Sequence, residues 1–284
     1  MKISHFPNNL PGNASSVYPQ LIESIKKTDT LVENDMHADV ALIWSVLWFN
    51  KMSANKTVWD NYRKQNKPVI VIEVGGLIRN MTWKLGINGI NREADFAVKE
   101  YEDSNRLAKL GIVLQQWKHE GDYVLICGQH GHSEQWRNMP DMDTYYKNTI
   151  TEVRKMTDKP IVVRSHPRFR ESLHWSCDML WYKEQGVTWN IPKHIQQTYD
   201  SFDLEHMLKH TYFTVSHSSN AGISSIIAGV PAVVSNHSLA YDVGSEMLEP
   251  LAKPDRNNWI NRISYTEWLA DEIGEQWLRI REKL

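Results

Sequence analysis

The stretch YFTVSHSSNAGISSIIAGVPAVVS, residues 212–235, decides the fold. It opens on an apolar run, passes through the small polar cluster Ser216 to Asn220, and continues as a helix-compatible segment that stops at Gly229. A Pro-led apolar run, 231–235, follows at once. Strand, turn, helix and strand in so few residues make a βαβ unit, whose strands run parallel. Ser218 or Ser219 is placed to cap the helix, and the small side chains leave its first N–H groups open to an anion. A turn that only caps a helix would carry the same letters, so other stretches have to decide.

Working outward, similar apolar runs stand at 38–49 (ADVALIWSVLWF), 68–74 (PVIVIEV), 122–127 (DYVLIC) and 160–164 (PIVVR). Helix-compatible segments lie between them, at Val58 to Gln65 and near 141–157, 203–209 and 219–228. The alternation predicts an α/β protein with parallel sheets covered by helices. Two strand ends carry further signals. DYVLIC runs into Gly128-Gln129-His130-Gly131, where glycine permits close backbone approach to a ligand. PIVVR runs into SHPRFR, which places Arg164, His166, Arg168 and Arg170 together without an acid, and guanidinium forks suit phosphate oxygens. A solvated basic loop would read the same way, but three such ends side by side on one sheet edge point to a nucleotide pocket.

The 284 residues leave room for two domains, with the break expected near 112–121, giving domains 1–117 and 118–284. The C-terminal stretch Tyr265 to Lys283 reads as one amphipathic helix packed on the body, and GGLIRNMTWKLGINGINRE, 75–93, as a long functional loop. Lys plus Arg total 32 against 34 acids, a formal charge of −2, so any polyanion must meet a local patch. Cys127 and Cys177 fit no disulfide framework or zinc finger. No apolar run reaches bilayer length and MKISHFPNNLPG lacks a signal-peptide core, so a cytoplasmic location without membrane contact is expected.

The order CGQHGH, SHPR and SHSSNAGISSIIAGVPAVVS resembles the donor-binding half of a GT-B glycosyltransferase, in particular capsule-polysaccharide-type enzymes and phage-encoded, DNA-modifying ones. The tail DRNNWINRISYTEWLADEIGEQW, 255–277, is similar to the ends of such phage proteins, which act in the host cytoplasm. The resemblance implies two Rossmann-like parallel-sheet domains facing a cleft. It implies phosphates held by Ser216, His217, Ser218, Ser219 and Asn220 beside Gly128, Gln129 and His130, and neutralised by Arg164, His166 and Arg168. His237 and Tyr241 would line the sugar end. The implied donor is a nucleotide-sugar, UDP-linked on family frequency with a CMP-sugar as the alternative, and the implied chemistry needs no metal, because fixed N–H groups and guanidinium groups stabilise the leaving phosphate.

Transfer with inversion to a hydroxyl needs a general base. Glu73, at the end of PVIVIEV and before Gly75-Gly76, is the first candidate and Asp95 the second; the opposing reading of Glu73 is a carboxylate that pairs with Arg79. The stretch 75–92 carries Arg79, Lys84 and Arg92, Trp83 and three Asn, with no acid. That set suits DNA, for instance a 5-hydroxymethylated pyrimidine, and suits a capsule or other glycan equally well. Two other classes compete. His130, His132 and Glu134, or His206 and His210 at i, i+4, would suit a metal-dependent hydrolase, and a non-catalytic nucleotide-sugar or nucleic-acid binder would need no base at all.

Overall fold

The computed structural model describes residues 1–169, 179–195, 202–246 and 251–284; Arg170 and Cys177 lie outside them. The described strands are β1 (Lys2–His5), β2 (Thr30–Glu33), β3 (Val40–Trp44), β4 (Val69–Val74), β5 (Thr82–Ile87), β6 (Tyr123–Cys127), β7 (Ile161–Arg164), β8 (Val187–Asn190), β9 (Thr211–Ser216), β10 (Ala232–Val234) and β11 (Glu267–Leu269). The helices are α1 (Tyr18–Lys26), α2 (Asn55–Lys64), α3 (Asn105–Leu110), α4 (Met142–Met156), α5 (Met179–Glu184), α6 (Leu204–Leu208), α7 (Asn220–Ile227), α8 (Asn257–Ser264) and α9 (Ile273–Arg281). The chain forms two compact units, Met1–Gly111 with Asn261–Leu284, and Ile112–Ile260.

The first unit is built on a six-stranded sheet of order β11-β5-β4-β3-β1-β2. β4, β3, β1 and β2 run parallel, while β5 pairs antiparallel with β4 and β11 antiparallel with β5. Along β4, Ile70, Ile72 and Val74 enter the core that takes in residues of α1 and α9, and Val69 and Val71 enter the core that takes in residues of α2. Burial on both faces is why PVIVIEV is continuously apolar up to its glutamate. The expected long loop 75–93 is corrected here: six of its residues form β5, which zips onto β4 from Ile70↔Ile87 to Val74↔Trp83.

The tail departs from expectation as well. Its helical spacing predicted one helix in a second domain running to Leu284, but Glu267–Leu269 is a strand and the helix begins at Ile273. Both belong to the first unit, because Trp268, Ile273, Trp277 and Ile280 complete its core. An apolar stripe at helical spacing cannot show which core receives it.

The second unit carries a five-stranded, wholly parallel sheet of order β10-β9-β6-β7-β8. Val124 and Ile126 of β6 face the core filled by α4, and Leu125 and Cys127 face the one shared with Leu208 and Ala221. No helix among the described residues is long and apolar enough to cross a membrane.

Candidate functional site

The register of the second sheet gathers the three predicted strand ends. Cys127 of β6 lies opposite Arg164 of β7 on one side and Ser216 of β9 on the other, and Ser216 lies opposite Val234 of β10. The residues that follow these four therefore leave the carboxyl edge at one level, where open α/β sheets hold ligands.

The turn after β9 is tied to the turn after β6. Gln129 Nε2 donates to Ser218 Oγ at 3.0 Å, and Gln129 Oε1 accepts from the Ser218 N–H at 3.1 Å. Ser219 is the cap of α7; its Oγ accepts from the Ala221 N–H at 3.3 Å. Ser216 is buried beneath Gly222, close to where a side chain on that glycine would fall. Gly128 donates from its N–H to Arg164 O at 2.9 Å, and a Cβ on it would strike the Tyr146 hydroxyl, so only glycine fits this crossing.

Three imidazoles crowd the next positions. His130 lies 5.7 Å from His132, 5.3 Å from His166 and 4.7 Å from Phe169, ring centre to ring centre. Burial, then the His132 and Arg168 charges, push the His130 pKa down to about 4. His217 is lowered as well, by burial first and then by His237, whose exposed ring lies 5.5 Å away. Its Nε2 donates to Gln135 O at 3.1 Å. Asn220 is half-buried at the start of α7, Arg168 is exposed, and Tyr241 donates to Glu246 at 2.6 Å.

The His130 shift predicts a pH dependence. The folded state binds this proton less readily than the unfolded chain, so stability is withdrawn as the pH falls from 6.5 towards 4. At about 1.4 kcal/mol per unit, the effect is roughly 3 kcal/mol when complete. His130→Gln should be less sensitive by that order in denaturant titrations between pH 7 and 4; equal sensitivity of the two proteins would refute the assignment.

Arg164 does not stand free, as its place among the cations implied. It is 5% exposed, donates to the Asn190 side chain, and pairs with Asp203 at 2.7 Å. Burial opposes ionisation of Asp203, but hydrogen bonds from Arg164 and the Lys193 N–H prevail and lower its pKa. The sequence shows the cation but not the acid that folds onto it. Nor do His130, His132 and Glu134 form a metal-ligand set: no group of three or more His, Cys, Asp or Glu among the described residues could hold one, and Glu134 pairs with Arg137 at 2.9 Å. His206 and His210 stand 6.3 Å apart, and His210 meets Asp122.

In the first unit Glu73 lies near the carboxyl end of β4, half-buried. Its Oε2 accepts from Ser45 Oγ at 2.5 Å and its Oε1 from the Val74 N–H at 2.8 Å. Asp95 is exposed, and its Oδ1 accepts from the Ala97 N–H at 2.7 Å. The acceptor patch is corrected at two positions. Trp83 is 5% exposed within the core, and Lys84 is 2% exposed, 3.8 Å from Glu267. Alternation along β5 buries both, since one face meets the α1/α9 core and loop 88–96 covers the other. Arg79 donates to Gly75 O, and Arg92 is exposed.

No family model matches the chain, and no curated protein matches it. Among solved structures it is similar to the β-Kdo 2,4 transferase of Thermosulfurimonas dismutans KpsC, at TM-score 0.55 and 11% identity over 98% of each chain. It is also similar to the β-Kdo 2,7 transferase of the same KpsC, at TM-score 0.51 and 11% identity over 99% of this chain and 100% of that one. The fold is thus an α/β architecture of two sheet-based domains, as in these transferases.

Proposed function

We propose that the chain is a glycosyltransferase that takes its sugar from a nucleotide-activated donor bound at the carboxyl edge of the second sheet. The observation that carries this is the shared level of Cys127, Arg164 and Ser216, which launches three ligand-type turns from adjacent strands. The capped start of α7 supplies N–H groups for a phosphate, and His166, whose ring lies 5.3 Å from that of His130, and Arg168 after the neighbouring strand are the further donors of this reading. As the bond from sugar to phosphate breaks, these fixed donors stabilise the charge that grows on the leaving oxygen.

With Arg164 engaged by Asp203, the cations left for the donor among the described residues of these turns are fewer than a diphosphate would favour. A single phosphate, as in a CMP-linked sugar, fits that count better than a UDP-sugar. Likeness to two Kdo transferases supports an acidic, Kdo-type sugar in the same place. For the acceptor, burial of Trp83 and Lys84 removes two of the four contacts a DNA strand would have used, which favours a glycan hydroxyl. Glu73 is the base that takes the proton of that hydroxyl, in the cytoplasm where activated sugars are made.

A thermal-shift screen against CMP, UDP and GDP tests the donor. CMP at about 100 times its Kd should stabilise the protein by about 2.7 kcal/mol, with UDP and GDP weaker. A larger shift with UDP would move the donor to that nucleotide, and no shift with any of them would remove the reading.

A further inference from the structure

Three charged residues stand in one row across the first sheet. Glu73 of β4 is the direct cross-strand partner of Lys84 on β5, and Lys84 is the direct partner of Glu267 on β11. Direct partners project from the same face of a sheet, so acid, base and acid follow one another at the spacing of adjacent strands. The face is the one opposite the core of α1 and α9, because Val74, Trp83 and Trp268, the neighbours of these three, are the residues that enter that core.

The middle member is enclosed. Lys84 donates to Ile90 O at 3.4 Å, and Glu267 completes its own shell with the N–H groups of Gly76 and Leu77, at 2.8 and 2.9 Å, and the Thr82 hydroxyl at 2.7 Å. A buried ammonium is tolerated only where opposite charge offsets its lost hydration. Burial pulls the Lys84 pKa down, and Glu267, Glu73 and Glu93 act against it, with Arg79 adding a smaller downward effect.

On its other side Glu73 meets Ser45, which is buried and has φ +61°, a left-handed conformation that costs a non-glycine residue energy. Its hydroxyl also accepts from the Leu47 N–H at 3.1 Å, so the oxygen is aimed by the backbone on one side and at the carboxylate on the other. Glycine would suit this backbone better. A serine there is explained by its hydroxyl.

We propose that Lys84 and Ser45 are positioning residues that fix the Glu73 carboxylate from two sides. The inference rests on the reading of Glu73 as the base. Neither residue touches substrate; Lys84 supplies the charge opposite the carboxylate, and Ser45 sets its rotamer.

The test uses the full chain labelled with ¹³C at glutamate carboxyl carbons, the Glu73 signal being assigned by its loss in Glu73→Gln. Ser45→Gly keeps the left-handed backbone and removes the hydroxyl, so it should fold. Lys84→Met removes the charge. In each folded variant the Glu73 carboxyl signal at neutral pH should move from its wild-type position and broaden, as that of a carboxylate released from its partners does. Turnover is read as CMP release from CMP-Kdo in the presence of a glycan acceptor. Donor KM should stay as in the wild type, while kcat falls about tenfold or more. Should Lys84→Met fail to fold, Ser45→Gly decides alone. A wild-type signal with wild-type kcat in Ser45→Gly would overturn the inference. A moved signal in a protein whose Glu73→Gln form turns over normally would leave the positioning standing and remove Glu73 as the base.

Discussion

Glu73→Gln is expected to lower kcat by about 10²–10⁴-fold, the usual cost of removing a positioned general base. The amide keeps the size of the carboxylate: its one oxygen can accept from the Val74 N–H while its Nε2 donates to Ser45 Oγ, and Glu267 still faces Lys84 at 3.8 Å, so the variant should fold. Every residue assigned to the donor lies in the second unit, which leaves donor affinity as it was. The expected pattern is a collapse of kcat and kcat/KM together with an unchanged thermal shift by nucleotide. Wild-type turnover would remove Glu73 from the mechanism. A comparable collapse in Asp95→Asn, with Glu73→Gln active, would transfer the role to the exposed carboxylate beside Ala97.

The candidate site at the carboxyl edge of the second sheet was readable in sequence because each of its parts is local. A strand buried on both faces shows as YVLIC or YFTVS, and the candidate site residues are those that follow it directly. Register does the rest, since neighbouring parallel strands bring their ends to one level. What stayed hidden depends on partners far along the chain. Lys84 and Gly86 make β5 read as a polar loop, and it takes Glu267, brought alongside by β11, together with Glu73 across β4 to account for a lysine inside a sheet. Arg164 counts as a free cation until Asp203, 39 residues later, folds onto it. Strand β11 is three residues long, and no periodicity can declare itself in that length.

The return of β11 to the first unit leads to a second large effect. Arg106→Met should destabilise that unit by about 2–5 kcal/mol in denaturant titrations, the cost of leaving two buried carbonyls without their donor while Glu272 keeps Lys109 at 2.5 Å. Arg106 is buried; its Nε donates to Ser264 O at 2.6 Å, its Nη2 to Glu267 O at 2.5 Å, and the fork pairs with Glu272 at 3.0 Å. The guanidinium also lies 4.1 Å from the centre of the Trp268 ring, and Arg279 approaches the same ring at 4.8 Å. Methionine can fill the volume but leaves two buried carbonyls without their donor. Lysine should recover only part of the loss, because a single ammonium cannot serve Ser264, Glu267 and Glu272 at once. A cost under about 1 kcal/mol for Arg106→Met would show that β11 is held by its apolar side chains alone. If the larger cost is found, it has a catalytic counterpart: Arg106 grips the backbone of the residue whose carboxylate balances Lys84, so loosening β11 should also disturb Glu73 through the charged row.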